Sequence, residues 1–137
     1  MKLLFFAPYT KRNTRQIHLL IDMLSTVNDL EVYGAVESLY RRLSLPVDVD
    51  CLVVLFVTDV KSLLKIVAMK ELLSGLRIIL VLPDRRPETI AKGHLLRPRF
   101  MTYADTDTEE IAAVLNKMLR RLTSATVSQG GGSGQPG

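Results

Sequence analysis

The chain has no tryptophan, one cysteine and no long apolar run. A single cysteine, Cys51, excludes an internal disulfide, and its place at the start of an apolar run predicts a small core residue rather than a reactive thiol. The densest apolar run, Cys51–Val57, has the length of a strand and is too short to cross a membrane. Met1–Phe6 leads directly into a strand pattern without a secretory signal. We therefore expect a cytoplasmic protein that does not enter the membrane.

Positive charge is not concentrated in any one segment. The net charge is +4 and the pI is near 9.4, but arginine pairs lie far apart at Arg41-Arg42, Arg85-Arg86 and Arg120-Arg121. The four Phe and four Tyr do not interleave with these pairs, as a base-stacking surface would require. We do not expect nucleic-acid binding through this domain.

Groups of residues that carry out catalysis are also missing. The two histidines, His18 and His94, lie on different predicted helices, with no cysteine or carboxylate cluster at ligand spacing. There is no Ser/His/Asp set and no glycine-rich nucleotide loop. We expect no metal site, no cofactor and no enzymatic activity.

Five short runs rich in β-branched or aromatic residues alternate with stretches of helical periodicity. They are Lys2–Ala7, Leu30–Val36, Cys51–Val57, Arg77–Leu82 and Arg99–Tyr103. Continuously apolar runs of this length predict parallel strands covered by helices on both faces. Right-handed crossovers then return the chain to the far side of strand one. The sequence therefore predicts an α/β fold, a three-layer α/β/α sandwich whose five-stranded parallel sheet has the order 2-1-3-4-5.

Capping residues, prolines and a glycine mark the ends of the predicted helices between these runs. Helical spacing predicts helices from Asn13 or Thr14 to about Thr26, over Glu37–Leu45, from Thr58 or Asp59 to a C-terminal Gly75, over Glu88–Leu96, and from Asp107 to about Leu122. Pro87 suits a first helical turn, and Asp107 with Glu110 forms a variant of the capping box.

The composition changes near the C-terminus. Residues 1–123 are predicted to form one domain and residues 124–137 a flexible tail. Ser128–Gly137 is nearly all Gly, Ser, Gln and Pro, which cannot bury enough surface to offset the entropy of ordering. The tail is either the start of a linker to another domain or a remnant of recombinant expression.

The order, spacing and length of these elements carry a resemblance over about residues 2–122. The chain resembles the receiver domain of two-component response regulators, a flavodoxin-like fold, which binds ligands outside the carboxyl ends of its strands. The segments whose residue pattern matches strands of the family are Lys2–Phe6, Asp50–Leu55, Arg77–Leu82 and Arg99–Tyr103. The resemblance implies a regulatory role in signal transduction.

The same resemblance implies a phosphorylation pocket whose residues this chain lacks. Receivers use an acidic pair for a divalent metal, an aspartate nucleophile, a Thr or Ser, and a Lys. The matching positions here are, in that order, Ala7 and Pro8, Leu55, Leu82 and Tyr103. We therefore expect a degenerate receiver, or pseudo-receiver, that takes no phosphoryl group and acts through protein–protein contacts.

Receivers commonly pair through the face formed by the helix after strand four, strand five and the last helix. On that face the chain has bases and acids, namely Arg97, Arg99, Lys117, Arg120, Arg121, Asp105, Asp107, Glu109 and Glu110. Phe100 falls where receivers often carry a switch aromatic, and we interpret it as core. Both signs of charge would suit a protein partner, including a second copy in a two-fold homodimer. The competing interpretation is solvated charge arranged to suit the helix dipole.

A second resemblance leaves an alternative function open. Thr10, Lys11, Arg12, Asn13 and Thr14 follow the first strand and are similar to the phosphate loop of flavodoxins. Hydroxyls, free N–H groups and a positive helix end suit phosphate, a nucleotide or FMN. The loop has no glycine, and only Tyr9 and Tyr103 could flank a flavin, so a polar loop with a capping asparagine is the competing interpretation.

Three aspartates, Asp59, Asp84 and Asp105, each follow a predicted strand. If they met at the carboxyl edge of the sheet, they could bind a metal or act as acids and bases. Each also begins a helix or a turn, where aspartate is favoured, and we interpret them as caps and turn residues.

Overall fold

Five parallel strands form one sheet with the order β2-β1-β3-β4-β5 in a computed structural model that describes residues 2–8, 10, 14–24, 29–48 and 50–131. The strands are β1 (Lys2–Phe6), β2 (Asp29–Tyr33), β3 (Leu52–Phe56), β4 (Arg77–Leu82) and β5 (Phe100–Tyr103). All four neighbouring pairs run parallel. The predicted strand order and direction are confirmed.

In the described residues, six helices connect or follow these strands. They are α1 (Thr14–Leu24), α2 (Val36–Leu43), α3 (Val60–Ala68), α4 (Lys70–Leu73), α5 (Pro87–His94) and α6 (Thr108–Gly131). Pro87 occupies the first turn of α5, as predicted. The second strand ends at Tyr33 rather than Val36, which instead begins α2. The last helix continues beyond Leu122, and the domain boundary at residue 123 stays a prediction; residues 132–137 of the predicted tail lie outside the described residues.

The sheet separates two apolar layers. Side chains alternate along β1, so that Leu3 and Phe5 face α1 and α6, whereas Leu4 and Phe6 face α2, α3 and α4. All five residues of β3 are buried. The predicted three-layer α/β/α sandwich is therefore confirmed, with the core on both sides of the central strands.

The predicted third helix is broken in two at Met69. A continuous helix would place Lys70 on the sheet-facing side with Leu63 and Ile66, because it follows them by seven and four residues. At the break, the Met69 N–H bonds to the Ile66 carbonyl at 3.0 Å. Lys70 then stays exposed while Leu73 is buried. The break keeps a charged side chain out of the core, which apolar periodicity alone did not reveal.

A carboxylate with three donors ties α2 to the open edge of the sheet. Glu31 accepts hydrogen bonds from Lys2 Nζ at 2.6 Å, Tyr33 Oη at 2.5 Å and Arg42 Nε at 2.8 Å. These donors, the Lys2 ammonium first, lower the pKa of Glu31 to about 2. Ionised Glu31 thus joins β1, β2 and α2 at one point.

Replacing Glu31 with glutamine should lower the free energy of unfolding by about 2 kcal/mol at about pH 7, because hydrogen bonds to a charged group become neutral ones. The pKa of Glu31 in the folded protein lies near 2, below its ordinary 4.5. Its stabilisation is therefore complete above pH 4.5 and is lost as the pH falls toward 2. Urea unfolding at about pH 7 and about pH 3 should show a difference between variant and wild type that shrinks at the lower pH.

The matched control is Glu37→Gln on α2. The Glu37 carboxylate is 71% exposed and lies 3.9 Å from Lys65 Nζ, so its loss should change stability by about 0.5 kcal/mol or less. Equal losses for Glu31→Gln at both pH values would contradict the assignment of the low pKa to Glu31.

Two helix ends use residues in the left-handed region. Gly75 follows α4 with φ of +83°, as its predicted C-terminal position requires. Arg97 follows α5 with φ of +51°, and its N–H bonds to the His94 carbonyl at 3.0 Å. An L-residue pays a steric cost in this conformation that glycine avoids.

Arg97→Gly should therefore raise the free energy of unfolding by about 0.5–1 kcal/mol, measured by urea unfolding. The control is Arg99→Gly, at a position with negative φ whose N–H bonds to the Ile78 carbonyl at 2.7 Å. That substitution should lower stability by about 0.5–1 kcal/mol through the entropy of glycine. Destabilisation by both substitutions would show that the Arg97 side chain contributes more than its backbone costs.

Candidate functional site: the carboxyl edge and the charged face

The five positions that match the receiver pocket lie near the carboxyl edge of the sheet. Ala7, Leu55 and Leu82 are fully buried, whereas Pro8 and Tyr103 are half-buried. Leu55 and Leu82 belong to the core layer under α2 and α3. The Ala7 N–H donates to the Tyr33 carbonyl at 2.9 Å. The five matching positions thus carry apolar or aromatic side chains, and none of the five has a carboxylate or an ammonium group.

The three aspartates at this edge have separate partners. Asp59 caps α3, accepting a hydrogen bond from the Ser62 N–H at 2.7 Å. Asp84 accepts one from the Arg86 N–H at 3.0 Å, and hydrogen bonds from the Thr89 side chain and this N–H lower the pKa of Asp84. The cap and turn interpretations are confirmed for Asp59 and Asp84. Within the described residues, no group of three His, Cys, Asp or Glu side chains could hold a metal ion.

Arg85 joins two loops at the carboxyl edge. Its guanidinium lies 4.1 Å from the centre of the Tyr103 ring and donates to the Asp105 carboxylate at 3.1 and 3.2 Å. The Asp105 carboxylate raises the pKa of Arg85. This Arg85 bridge connects the β4–α5 loop to the turn after β5, at the strand end where a receiver carries its lysine. Sequence reasoning missed it, although both loops follow neighbouring strands.

The cysteine and the two histidines lie apart from one another in the fold. Cys51 is buried in the core, as predicted, and burial raises the pKa of its thiol, which disfavours the reactive thiolate. His18 on α1 and His94 on α5 are exposed on opposite sides of the sheet.

The predicted anion loop is described only at its ends. The Thr14 hydroxyl donates to the Thr10 carbonyl at 2.6 Å, and the Thr14 N–H reaches the same oxygen at 3.1 Å. Both Thr14 donors are therefore used within the loop. Tyr9, Lys11, Arg12 and Asn13 lie outside the described residues, so anion binding here stays a prediction.

The predicted interface residues lie on α6, on β5, on the segment that precedes β5 and in the turn between β5 and α6, which together we call the charged face. All its charged members are exposed: Arg97, Arg99, Asp105, Asp107, Glu109, Glu110, Lys117, Arg120 and Arg121. Phe100 is half-buried and packs against the α1–α6 layer. Among the ion pairs of the described residues, the charged face contributes only Asp105, to Arg85. Its other charged side chains form no ion pair with another described residue.

Two crystal structures have a similar fold. The regulatory domain of the master biofilm regulator CsgD matches with a TM-score of 0.50 and 15% identity, covering 93% of this chain and 99% of that one. A pilus assembly-related protein of Burkholderia pseudomallei matches with a TM-score of 0.50 and 17% identity, covering 85% of this chain and 88% of that one. No protein-family model and no curated protein matches the chain. At these identities the likeness shows the fold alone, a flavodoxin-like α/β domain.

Across the part of the chain that the structure describes, no helix is both long and apolar enough to span a bilayer.

Proposed function

We propose that this receiver-like domain is a cytoplasmic regulatory module that signals through protein contacts, without enzymatic activity. A receiver needs carboxylates to hold magnesium, and magnesium neutralises charge during phosphoryl transfer. The matching positions here hold Ala7, Pro8 and Leu55. The nearby Asp59 carboxylate already accepts a helix-capping hydrogen bond. These contacts support a domain that takes no phosphoryl group.

The charged face is the observation that carries this proposal. Glu109 and Glu110 lie in the first turn of α6, and Arg120 and Arg121 lie about 15 Å further along its axis. β5 is an edge strand, so one side of its backbone has no neighbouring strand in the described sheet. In a two-fold dimer, the acidic end of one α6 would meet the basic end of the other.

The comparison with CsgD supports a regulatory role. The protein with which this chain shares its fold is described as a regulatory domain. Because protein partners of receivers use this face, exposed charge there favours a protein partner over nucleic acid. A second copy of the chain is the partner that matches both ends of α6.

Incubation with acetyl phosphate and magnesium should leave the intact mass of the protein unchanged, because the positions that match the acidic pair and the nucleophile hold Ala7, Pro8 and Leu55. A receiver with a complete acidic pocket, treated in parallel, serves as the positive control. A magnesium-dependent gain of one phosphoryl group that disappears in Asp59→Asn would refute the non-phosphorylatable assignment.

Light scattering should give a dimer mass for the wild type and a monomer mass for Arg120→Glu/Arg121→Glu, since reversal places like charges together. The variant Glu109→Arg/Glu110→Arg, measured by itself, should also be a monomer. An equimolar mixture of the two variants should restore the dimer, because each contact then pairs opposite charges.

The matched control is Lys61→Glu/Lys65→Glu on α3, which changes the net charge equally but lies outside the charged face. It should stay dimeric. Failure of the mixed variants to associate would exclude the two-fold arrangement, and a monomeric wild type would exclude the homodimer altogether.

A further inference from the structure

A second surface lies between α2 and the α3–α4 pair, and it shares no residue with the charged face. It is a groove of about 630 Å³. The apolar members of its lining are Val36, Tyr40, Ala68, Met69 and Leu72. We call it the α2–α3 groove.

The packing of the two helices explains why these side chains are left uncovered. α2 buries Leu39 and Leu43 against the sheet, and α3 buries Leu63 and Ile66. Tyr40, one residue beyond Leu39, is consequently turned outward and remains 47% exposed. Tyrosine and methionine are side chains that contribute strongly to protein interfaces, because they are large and adaptable.

The rim of the groove carries more positive than negative charge. Its charged members are Glu37, Arg41, Lys65, Lys70 and Glu71. Glu37 and Lys65 are 3.9 Å apart and are 71% and 54% exposed, so their pairing is weak. Arg41 and Lys70 form no ion pair with another described residue. The rim therefore favours an occupant with acidic flanks.

We propose that the α2–α3 groove binds an acidic amphipathic helix of a partner protein. The groove lies between helices and offers no strand edge, so an extended peptide would find no backbone ladder to join. A helix forms its backbone hydrogen bonds internally. It can therefore present apolar side chains at i, i+3, i+4 and i+7 to Tyr40, Met69 and Leu72. Acidic residues beside that stripe would face Arg41 and Lys70. This contact is additional to the proposed dimer.

The test is selection from a displayed library of amphipathic helices of roughly 14 residues, about four turns, with a fixed apolar stripe and random polar positions. The target is the full chain, and binders to Tyr40→Ser are removed. Selected peptides should carry an excess of Asp and Glu. The best of them, synthesised with a fluorophore, should bind the wild type with an anisotropy change that saturates.

Two variants should weaken binding of that peptide by about tenfold or more. Tyr40→Ser removes the exposed ring, and Lys65→Glu/Lys70→Glu reverses the rim. Leu19→Ser, at a 54% exposed leucine on α1, is the apolar control and should leave affinity unchanged. Arg120→Glu/Arg121→Glu should also leave it unchanged, which separates this contact from the dimer.

Several results would overturn the proposal. They are selection of basic or neutral peptides, failure to enrich any peptide against Tyr40→Ser, and affinity that is insensitive to Tyr40. Dissociation of a wild-type dimer by Tyr40→Ser would place a second copy in the groove instead. Saturable binding of a small aliphatic carboxylate, with no peptide binding, would identify a ligand pocket.

Discussion

Burial of three adjacent strands on both faces is the constraint on which the rest of this structure depends. Every residue of β3 is buried, and only the first residue of β1 and of β4 is partly exposed. Burying each large apolar side chain stabilises the folded state by roughly 1.5–3 kcal/mol. Strands that are apolar on both faces gain this stabilisation only when helices cover both faces of the sheet. In the described residues of these three strands, the charged side chains are Lys2 and Arg77, each at the start of its strand. Leu55 and Leu82 show the result, because core packing extends to the edge where receivers place their chemistry.

The polar side chains that remain near this edge stabilise the fold locally. Asp59 begins a helix, Asp84 closes a turn, and Arg85 connects two loops through Tyr103 and Asp105. Each carboxylate has a partner within the chain, so using one as a nucleophile would cost a cap, a turn or a bridge. On exposed surfaces such pairs contribute little energy individually. Among the residues that the structure describes, no group of three His, Cys, Asp or Glu side chains could hold a metal ion. This is why the proposed function relies on surfaces away from the edge.

Sequence reasoning succeeded where the signal was local. Apolar strand runs predicted the sheet order, and Gly75, Pro87 and Asp59 marked helix ends, because each acts on its own neighbours. It missed contacts between distant segments: Lys2 and Glu31 are 29 residues apart, and Arg85 and Asp105 are 20 apart. The parallel register that pairs Lys2 with Asp29 brings charges at two strand starts together, and this signal could have revealed the Glu31 cluster. The left-handed backbone conformation of Arg97 could not be predicted from the sequence, since arginine has no preference for that conformation.

The positions of the two proposed surfaces in the sheet determine how they could work together. α2 packs beside β2, at one end of the strand order, whereas the charged face borders β5, at the other. The buried central strands lie between them, so occupancy of one surface does not block the other. If the domain takes no phosphoryl group, as proposed, modification at its strand ends would not change its affinity for a partner. The strength of partner binding would instead depend on how many grooves are engaged, because a two-fold dimer presents two grooves to one partner. A weak helix–groove contact then gains strength when both grooves are engaged, provided that the partner spans them.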